Sequence, residues 1–141
     1  MAFKANTVDL QTGFNLATTT AKVEKQYLQA WYTKLASNID AIFALEMLNN
    51  LSRTITTLNS VSALPGLQAY AQQQFGSPAY DVAAEFTAMV NALTAIESWL
   101  KTNIPSNSVS IVNGVLTGNT YTPAQTAALR TLVNTAITTI E

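Results

Sequence analysis

Residues 39–58, IDAIFALEMLNNLSRTITTL, carry the most regular hydrophobic pattern in the chain. Their apolar residues recur every three or four positions, the spacing of a helix with one buried face. Ser37 and Asn38 precede the run as candidate N-caps, and Asp40 lies in the first turn, where the macrodipole favours a carboxylate. The pattern predicts the central helix of a mainly α-helical fold. Its apolar positions are Ile39, Ile42, Phe43, Met47, Leu48, Leu51, Ile55 and Leu58.

Helical patterns lie on both sides of this segment. Before it, an apolar stripe predicts a helix over about Thr20 to Ala36. After the Pro65-Gly66 break, a short helix is expected, which Gly76 would end. Ser77 and Pro78 then supply an N-cap and a first-turn Pro for a long helix that runs to Ile104-Pro105. The first stripe consists of Val23, Tyr27, Leu28, Trp31 and Leu35, and the long helix carries Val82, Phe86, Met89, Val90, Leu93, Ile96 and Leu100.

Residues 109–121 change to a β-branched composition around Asn113-Gly114, the dipeptide typical of a two-residue hairpin turn. A hairpin closed there pairs Val112 with Val115 and Ile111 with Leu116. A last helix begins after it, because Thr122-Pro123-Ala124-Gln125 combines an N-cap, a first-turn Pro and a capping-box Gln. The predicted fold is therefore a bundle of three to four long helices and one short helix, with a β-hairpin before the C-terminal helix.

Residues 1–18 show no sustained hydrophobic period, and we expect an extended arm ahead of a single helical domain over residues 19–141. The arm is apolar for a solvated tail, because its only charged side chains are Lys4 and Asp9. We therefore expect it to become ordered across a neighbouring subunit. The candidate interface comprises Phe3, Val8, Leu10, Phe14 and Leu16 of the arm, with Ile111, Val112, Val115 and Leu116 of the hairpin.

The composition favours a surface that other proteins can cover. Charged residues make up only 11% of the chain, against about 25% in typical soluble domains, and uncharged polar residues, above all Thr and Asn, take their place. Such a surface loses its water more cheaply than a charged one. The seven basic and eight acidic residues form no run of either sign, so we expect no direct nucleic-acid recognition and no membrane partner.

Catalytic chemistry has few candidates. The chain has no His and no Cys, which removes the commonest general base and the usual transition-metal ligands. Asp81 and Glu85, four residues apart, could share a cation or divide acid and base roles, but acids in a first helical turn more often stabilise the macrodipole. Tyr27, Trp31, Tyr32 and Trp99 could line a ligand pocket, although aromatic residues at helical spacing are more often core or interface anchors. We therefore expect no enzyme activity, metal or cofactor.

Residues 121–130, YTPAQTAALR, resemble a segment of small virion proteins from tailed bacteriophages. Those proteins share the richness in Thr, Asn and Ala, the low charge and the absence of Cys. The resemblance implies a helical component of the head, or of the head-to-tail neck as a connector, or a cement protein on the capsid. It further implies assembly in the host cytoplasm into a homo-oligomer that contacts other virion proteins.

Three hypotheses follow from the sequence. The first is a non-enzymatic virion structural protein present in several copies. The second is a soluble helical interaction module that works as a monomer or dimer and docks one partner. The third is a carboxylate-based enzyme that uses Asp81 and Glu85. The first two differ in stoichiometry, which makes the oligomeric state the distinguishing measurement.

Overall fold

The computed structural model describes residues 2–37, 39–76, 80–104 and 109–140, with side chains described from Leu10 onward. Within these ranges the chain is mainly α-helical, as the sequence predicts, and forms five helices and one antiparallel hairpin. The elements are α1 (Ala2–Lys34), α2 (Ala41–Ser62), α3 (Leu67–Phe75), α4 (Val82–Asn103), β1 (Val109–Val112), β2 (Val115–Gly118) and α5 (Pro123–Thr139).

The four long helices enclose one hydrophobic core. Helices α1 and α4 each pack against both α2 and α5, and the short α3 packs on α1 and α4. Helix α2 is therefore buried on two sides, which explains its wide apolar stripe. The fully buried side chains come from all four long helices and include Leu28, Met47, Leu51, Leu58, Leu93, Ile96, Leu100, Leu129 and Val133.

The prediction of an extended arm over residues 1–18 is wrong for the described part, because residues 2–18 belong to α1. The predicted domain boundary at residue 19 consequently falls inside this helix. Leu10 and Phe14 pack against the chain's own core. Together with Ala17, Ala21, Glu24 and Leu28 they recur every three or four positions, which is helical spacing. The stripe is hard to recognise in the sequence because two of its members are Ala and one is a charged Glu.

The predicted inward face of α1 also needs a correction. Leu28, Trp31 and Leu35 are buried, as expected, but Val23 and Tyr27 are 42% and 48% exposed. A strict spacing of four residues drifts around an α-helix of 3.6 residues per turn. The inward position beside Leu28 is therefore taken by Glu24.

Two helices begin at an Asp rather than at the predicted caps. Asp40 is the N-cap of α2 and accepts a hydrogen bond from the Phe43 backbone N–H at 2.9 Å, while Asp81 caps α4 in the same way through Ala84. The candidate caps Asn38 and Ser77, like Pro78, lie outside the described residues. A carboxylate accepts a backbone hydrogen bond more strongly than a hydroxyl does.

The capping box at the start of α5 is confirmed. The Gln125 backbone N–H donates to the Thr122 hydroxyl at 3.1 Å, and the Gln125 side chain accepts from the Thr122 backbone N–H at 2.9 Å. We expect Thr122→Ala to lower the free energy of unfolding by about 1 kcal/mol, the usual effect of losing an N-cap hydroxyl. Urea denaturation would measure this loss. Thr122→Ser keeps the hydroxyl and is the control, and equal midpoints for the two variants would contradict the capping role.

Candidate interaction surface

The hairpin forms in the register that its sequence predicts. Val112 pairs with Val115, Ile111 with Leu116 and Ser110 with Thr117. Asn113 and Gly114 both have positive φ angles, 51° and 78°, as the tight turn of a two-residue hairpin requires. Directly opposed residues share one face of the ribbon, so Ile111 and Leu116 lie on one face and Val112 and Val115 on the other.

Backbone contacts fix the base of the hairpin to the start of α2. The Ala41 N–H donates to the Asn119 carbonyl at 3.0 Å, and the Tyr121 N–H donates to the Ile39 carbonyl at 2.9 Å. Asp40 and Thr120 form an isolated antiparallel bridge beside them. Because these bonds join backbone atoms, they set the direction in which the ribbon leaves the bundle.

The buried ring of Tyr121 also packs at the base of the hairpin. It is 5% exposed and makes an edge contact with Trp99, with ring centroids 5.8 Å apart. Burial raises the pKa of its hydroxyl to about 12, and within the described residues this hydroxyl has no hydrogen-bond partner. Tyr121 therefore acts through its ring, as a hydrophobic anchor between the hairpin and α4.

The tip of the hairpin carries four large apolar side chains that the bundle does not cover. Ile111 is 74% exposed, Val112 52%, Val115 63% and Leu116 53%. The nearest charged residues in sequence are Lys101 and Arg130, so the whole stretch between them is uncharged. Scattered exposed apolar residues are ordinary, but a contiguous apolar cluster on both faces of a projecting ribbon is a feature of interaction sites.

The N-terminal interface candidates are not brought together with the hairpin. Phe14 makes edge contacts with Tyr70 and Phe75 at ring-centroid distances of 5.8 Å. Leu16 is 51% exposed on α1. Phe3 and Val8 belong to α1, but their side chains lie outside the described part. The nine predicted interface residues thus divide into two sets. Those of the hairpin are exposed, whereas Leu10 and Phe14 of the N-terminal set pack against the core of the same molecule.

The structure also reveals a buried carboxylate that the sequence did not indicate. Glu24 of α1 is 2% exposed. Its Oε2 accepts a hydrogen bond from the Thr54 hydroxyl at 2.7 Å. With its amide nitrogen turned toward the carboxylate, Asn50 donates to both oxygens, at 2.8 and 2.7 Å. These bonds join α1 to α2 through polar side chains.

Burial raises the pKa of Glu24 from 4.5 to about 7. The Thr54 hydrogen bond and the positive charge of Arg53 oppose this shift without cancelling it. Removal of the carboxylate from water is the dominant effect, since a buried charge is costly even when it accepts hydrogen bonds. The folded protein therefore holds the Glu24 proton more tightly than the unfolded chain does.

Most of the acidic and aromatic residues that the sequence suggested as ligand or catalytic sites make structural contacts instead. Asp81 is the N-cap of α4, and Glu85 is exposed in the first turn of that helix. Among the described residues, no three acidic, His or Cys side chains gather into a metal site. Tyr27 stacks at a tilt on Trp31, with centroids 6.1 Å apart. Tyr32 lies under the Arg130 guanidinium, whose carbon is 4.1 Å from the ring centroid.

A charged group also joins α2 to α4. Glu97 accepts a hydrogen bond from the Ser52 hydroxyl at 2.8 Å. It also forms an ion pair with Lys101, at 3.6 Å. Because Lys101 is exposed to solvent, the ion pair adds only a few tenths of a kcal/mol to stability.

Comparisons with protein families, curated proteins and solved structures give no match to this chain. In the part of the chain that the structure describes, every helix is too short or too polar to cross a membrane. Among the described residues, the exposed apolar cluster of the hairpin is the best candidate for an interaction surface.

Proposed function

We propose that this chain is a non-enzymatic structural protein that assembles in several copies through its β-hairpin. The observation that supports the proposal is the exposure of Ile111, Val112, Val115 and Leu116 on both faces of a ribbon with a fixed base. In a monomer these side chains would remain in water, which is unfavourable by roughly 25 cal/mol per Å² of apolar surface. Packing against another subunit removes that exposure.

We further propose that this assembly is part of the virion of a tailed phage, which the resemblance of residues 121–130 to small virion proteins supports. A neck connector or a capsid-surface protein would both use a charge-poor helical body with a projecting contact element. Genes for portal, capsid or tail proteins beside the gene for this chain would support the assignment.

Replacing the four hairpin residues together with Thr tests the proposal. Thr keeps the β-branched shape that suits a strand, so the hairpin should still form while its apolar contact is lost. We expect association to weaken at least a hundred-fold, which corresponds to about 3 kcal/mol of lost apolar burial. Light scattering after size-exclusion chromatography over a concentration series would measure the change, with circular dichroism to verify the fold.

A double variant, Val23→Gln with Tyr27→Gln, is the control because it removes exposed side chains from α1 that are not among the nine interface candidates. It should assemble like the unchanged chain. Equal assembly of the quadruple Thr variant and the unchanged chain would exclude the hairpin as the contact. An unchanged chain that stays monomeric or dimeric at every concentration would instead favour the helical interaction module.

A further inference from the structure

A small pocket lies between α1, α3 and the start of α4, beside the C-terminal end of α5. Its volume is about 220 Å³, below the roughly 300–1,000 Å³ that is usual for pockets holding drug-sized ligands. A compact chemical group therefore fits it better than a large ligand. The aromatic residues of its lining are Phe14, Phe75, Tyr80 and Phe86.

The aromatic rings of this pocket are accessible from outside. Phe75 is 54% exposed, and its ring centroid lies 5.8 Å from that of Phe14 and 4.6 Å from that of Tyr80. Phe14 and Tyr80 are themselves only half-buried. Aromatic rings carry negative charge on their faces and attract a cation within about 6 Å of the ring centroid. A cluster of three neighbouring rings therefore favours a positively charged occupant.

The charge of the lining points the same way. Glu85 is its one charged residue among those described, and no basic side chain lines the pocket. The Glu85 carboxylate takes no part in an ion pair within the described part of the chain. Burial and, after it, the negative charge of Glu85 raise the pKa of the Tyr80 hydroxyl, so this charge acts on the pocket itself. Charge complementarity therefore favours a cation over a neutral or anionic group.

The lining offers few hydrogen-bond acceptors to a cation that carries N–H groups. Its polar side chains are those of Thr18, Tyr80 and Glu85, and the rest of the lining is apolar. A primary ammonium has three N–H donors, and a donor without a partner is costly to remove from water. A quaternary ammonium has no N–H group, and its methyl groups pack well on apolar and aromatic walls. The lining therefore suits a quaternary ammonium better than the side chain of Lys or Arg.

We infer that this pocket binds a compact quaternary ammonium group, with Phe14, Phe75 and Tyr80 contacting its methyl groups and Glu85 balancing its charge. Free choline-type solutes and the headgroup of phosphatidylcholine both carry such a group. The pocket shares no residue with the hairpin, so this inference is independent of the proposed assembly.

Three small probes of similar size test this recognition when each is titrated into the full chain and followed by NMR. Choline carries the quaternary ammonium, 3,3-dimethyl-1-butanol has the same shape without the charge, and ethanolamine has the charge with N–H donors. We expect choline to bind about ten-fold more tightly than either of the others, which is within the range of a desolvated cation–π contact. Equal binding of choline and the neutral alcohol would overturn the inference, and so would equal binding of choline and ethanolamine.

Variants locate the site. We expect Phe75→Leu to weaken choline binding by about ten-fold and Glu85→Gln to weaken it by about three-fold. Tyr27→Leu is the control, because it removes an exposed aromatic ring of α1 that lies outside the pocket, and it should bind choline like the unchanged chain. Circular dichroism verifies the fold of each variant. If Phe75→Leu lost helical content, Glu85→Gln would decide, since Glu85 is exposed. Unchanged choline binding in both pocket variants would place the site elsewhere and overturn the inference.

Sedimentation with lipid vesicles distinguishes the two sources of the group. Binding to phosphatidylcholine vesicles but not to phosphatidylglycerol vesicles, with loss of binding in Phe75→Leu, would identify the lipid headgroup as the ligand. Choline binding without vesicle binding would identify a free solute. A chain that binds neither choline nor phosphatidylcholine vesicles would overturn the inference.

Discussion

Glu24→Gln is expected to stabilise the protein at pH 8 and to change its stability little at pH 4.5. The gain at pH 8 is at most about 3 kcal/mol, because the hydrogen bonds from Asn50 and Thr54 favour the ionised carboxylate. The physical reason is the pKa of Glu24, which burial raises from 4.5 to about 7, since each pKa unit corresponds to about 1.4 kcal/mol. The folded state keeps the proton more tightly than the unfolded state. The stability that protonated Glu24 provides is therefore fully present below about pH 4.5 and is lost as pH rises through 7.

The Gln side chain preserves the shape and stays neutral at every pH. It can still bond Thr54 and Asn50, so the seam between α1 and α2 keeps most of its polar contacts. Denaturation with urea at several pH values between 4.5 and 8 would give the difference between the two proteins. That difference isolates Glu24, because the other titrating groups are common to both.

Glu46→Gln is the matched control, since Glu46 is exposed on α2 and its replacement removes no buried charge. We expect it to shift the stability curve by less than about 0.5 kcal/mol at any pH, as is usual for surface substitutions. A Glu24→Gln difference that stays constant from pH 4.5 to 8 would contradict the prediction. It would mean that the pKa of Glu24 is the same in the folded and unfolded states.

The elements that the sequence predicts best are those fixed by interactions between residues close together in the chain. Asn113-Gly114 determines the turn and, through it, every pair of the hairpin. Thr122 and Gln125 determine the start of α5. The long stripe of α2 has enough apolar residues to be recognised without knowledge of its neighbours. In each case the interactions that decide the structure join residues a few positions apart.

The features that the sequence does not predict depend on distant residues. The start of α2 at Asp40 coincides with its bridge to Thr120, far along the chain. From the sequence alone Glu24 is expected on the surface, because its hydrogen-bond partners Thr54 and Asn50 belong to a different helix, α2. The N-terminal half of α1 buries Ala17 against the core, and so small a side chain gives little periodic signal.

Gly118→Ala is expected to lower the free energy of unfolding by about 1–3 kcal/mol, the usual range for overpacking at a close contact. A Cβ atom at this position would lie 2.9 Å from the Ile42 backbone nitrogen and 3.1 Å from that of Ala41. Both atoms belong to the first turn of α2 and cannot move aside alone. The hairpin must shift instead, which strains the hydrogen bonds that Ala41 donates to Asn119 and Tyr121 donates to Ile39.

Gly13→Ala makes a demanding control, because its Cβ would approach another atom even more closely. That atom is the Leu64 Cδ1, at 2.6 Å, the end of a flexible side chain that can change rotamer. Gly13 also lies within α1, where Ala is favoured over Gly by roughly 0.5–1 kcal/mol. We therefore expect Gly13→Ala to be within about 1 kcal/mol of the unchanged chain in urea denaturation. A smaller loss of stability for Gly118→Ala than for Gly13→Ala would mean that the base of the hairpin is not rigid. The direction of the hairpin, and with it the geometry of assembly, would then be set elsewhere.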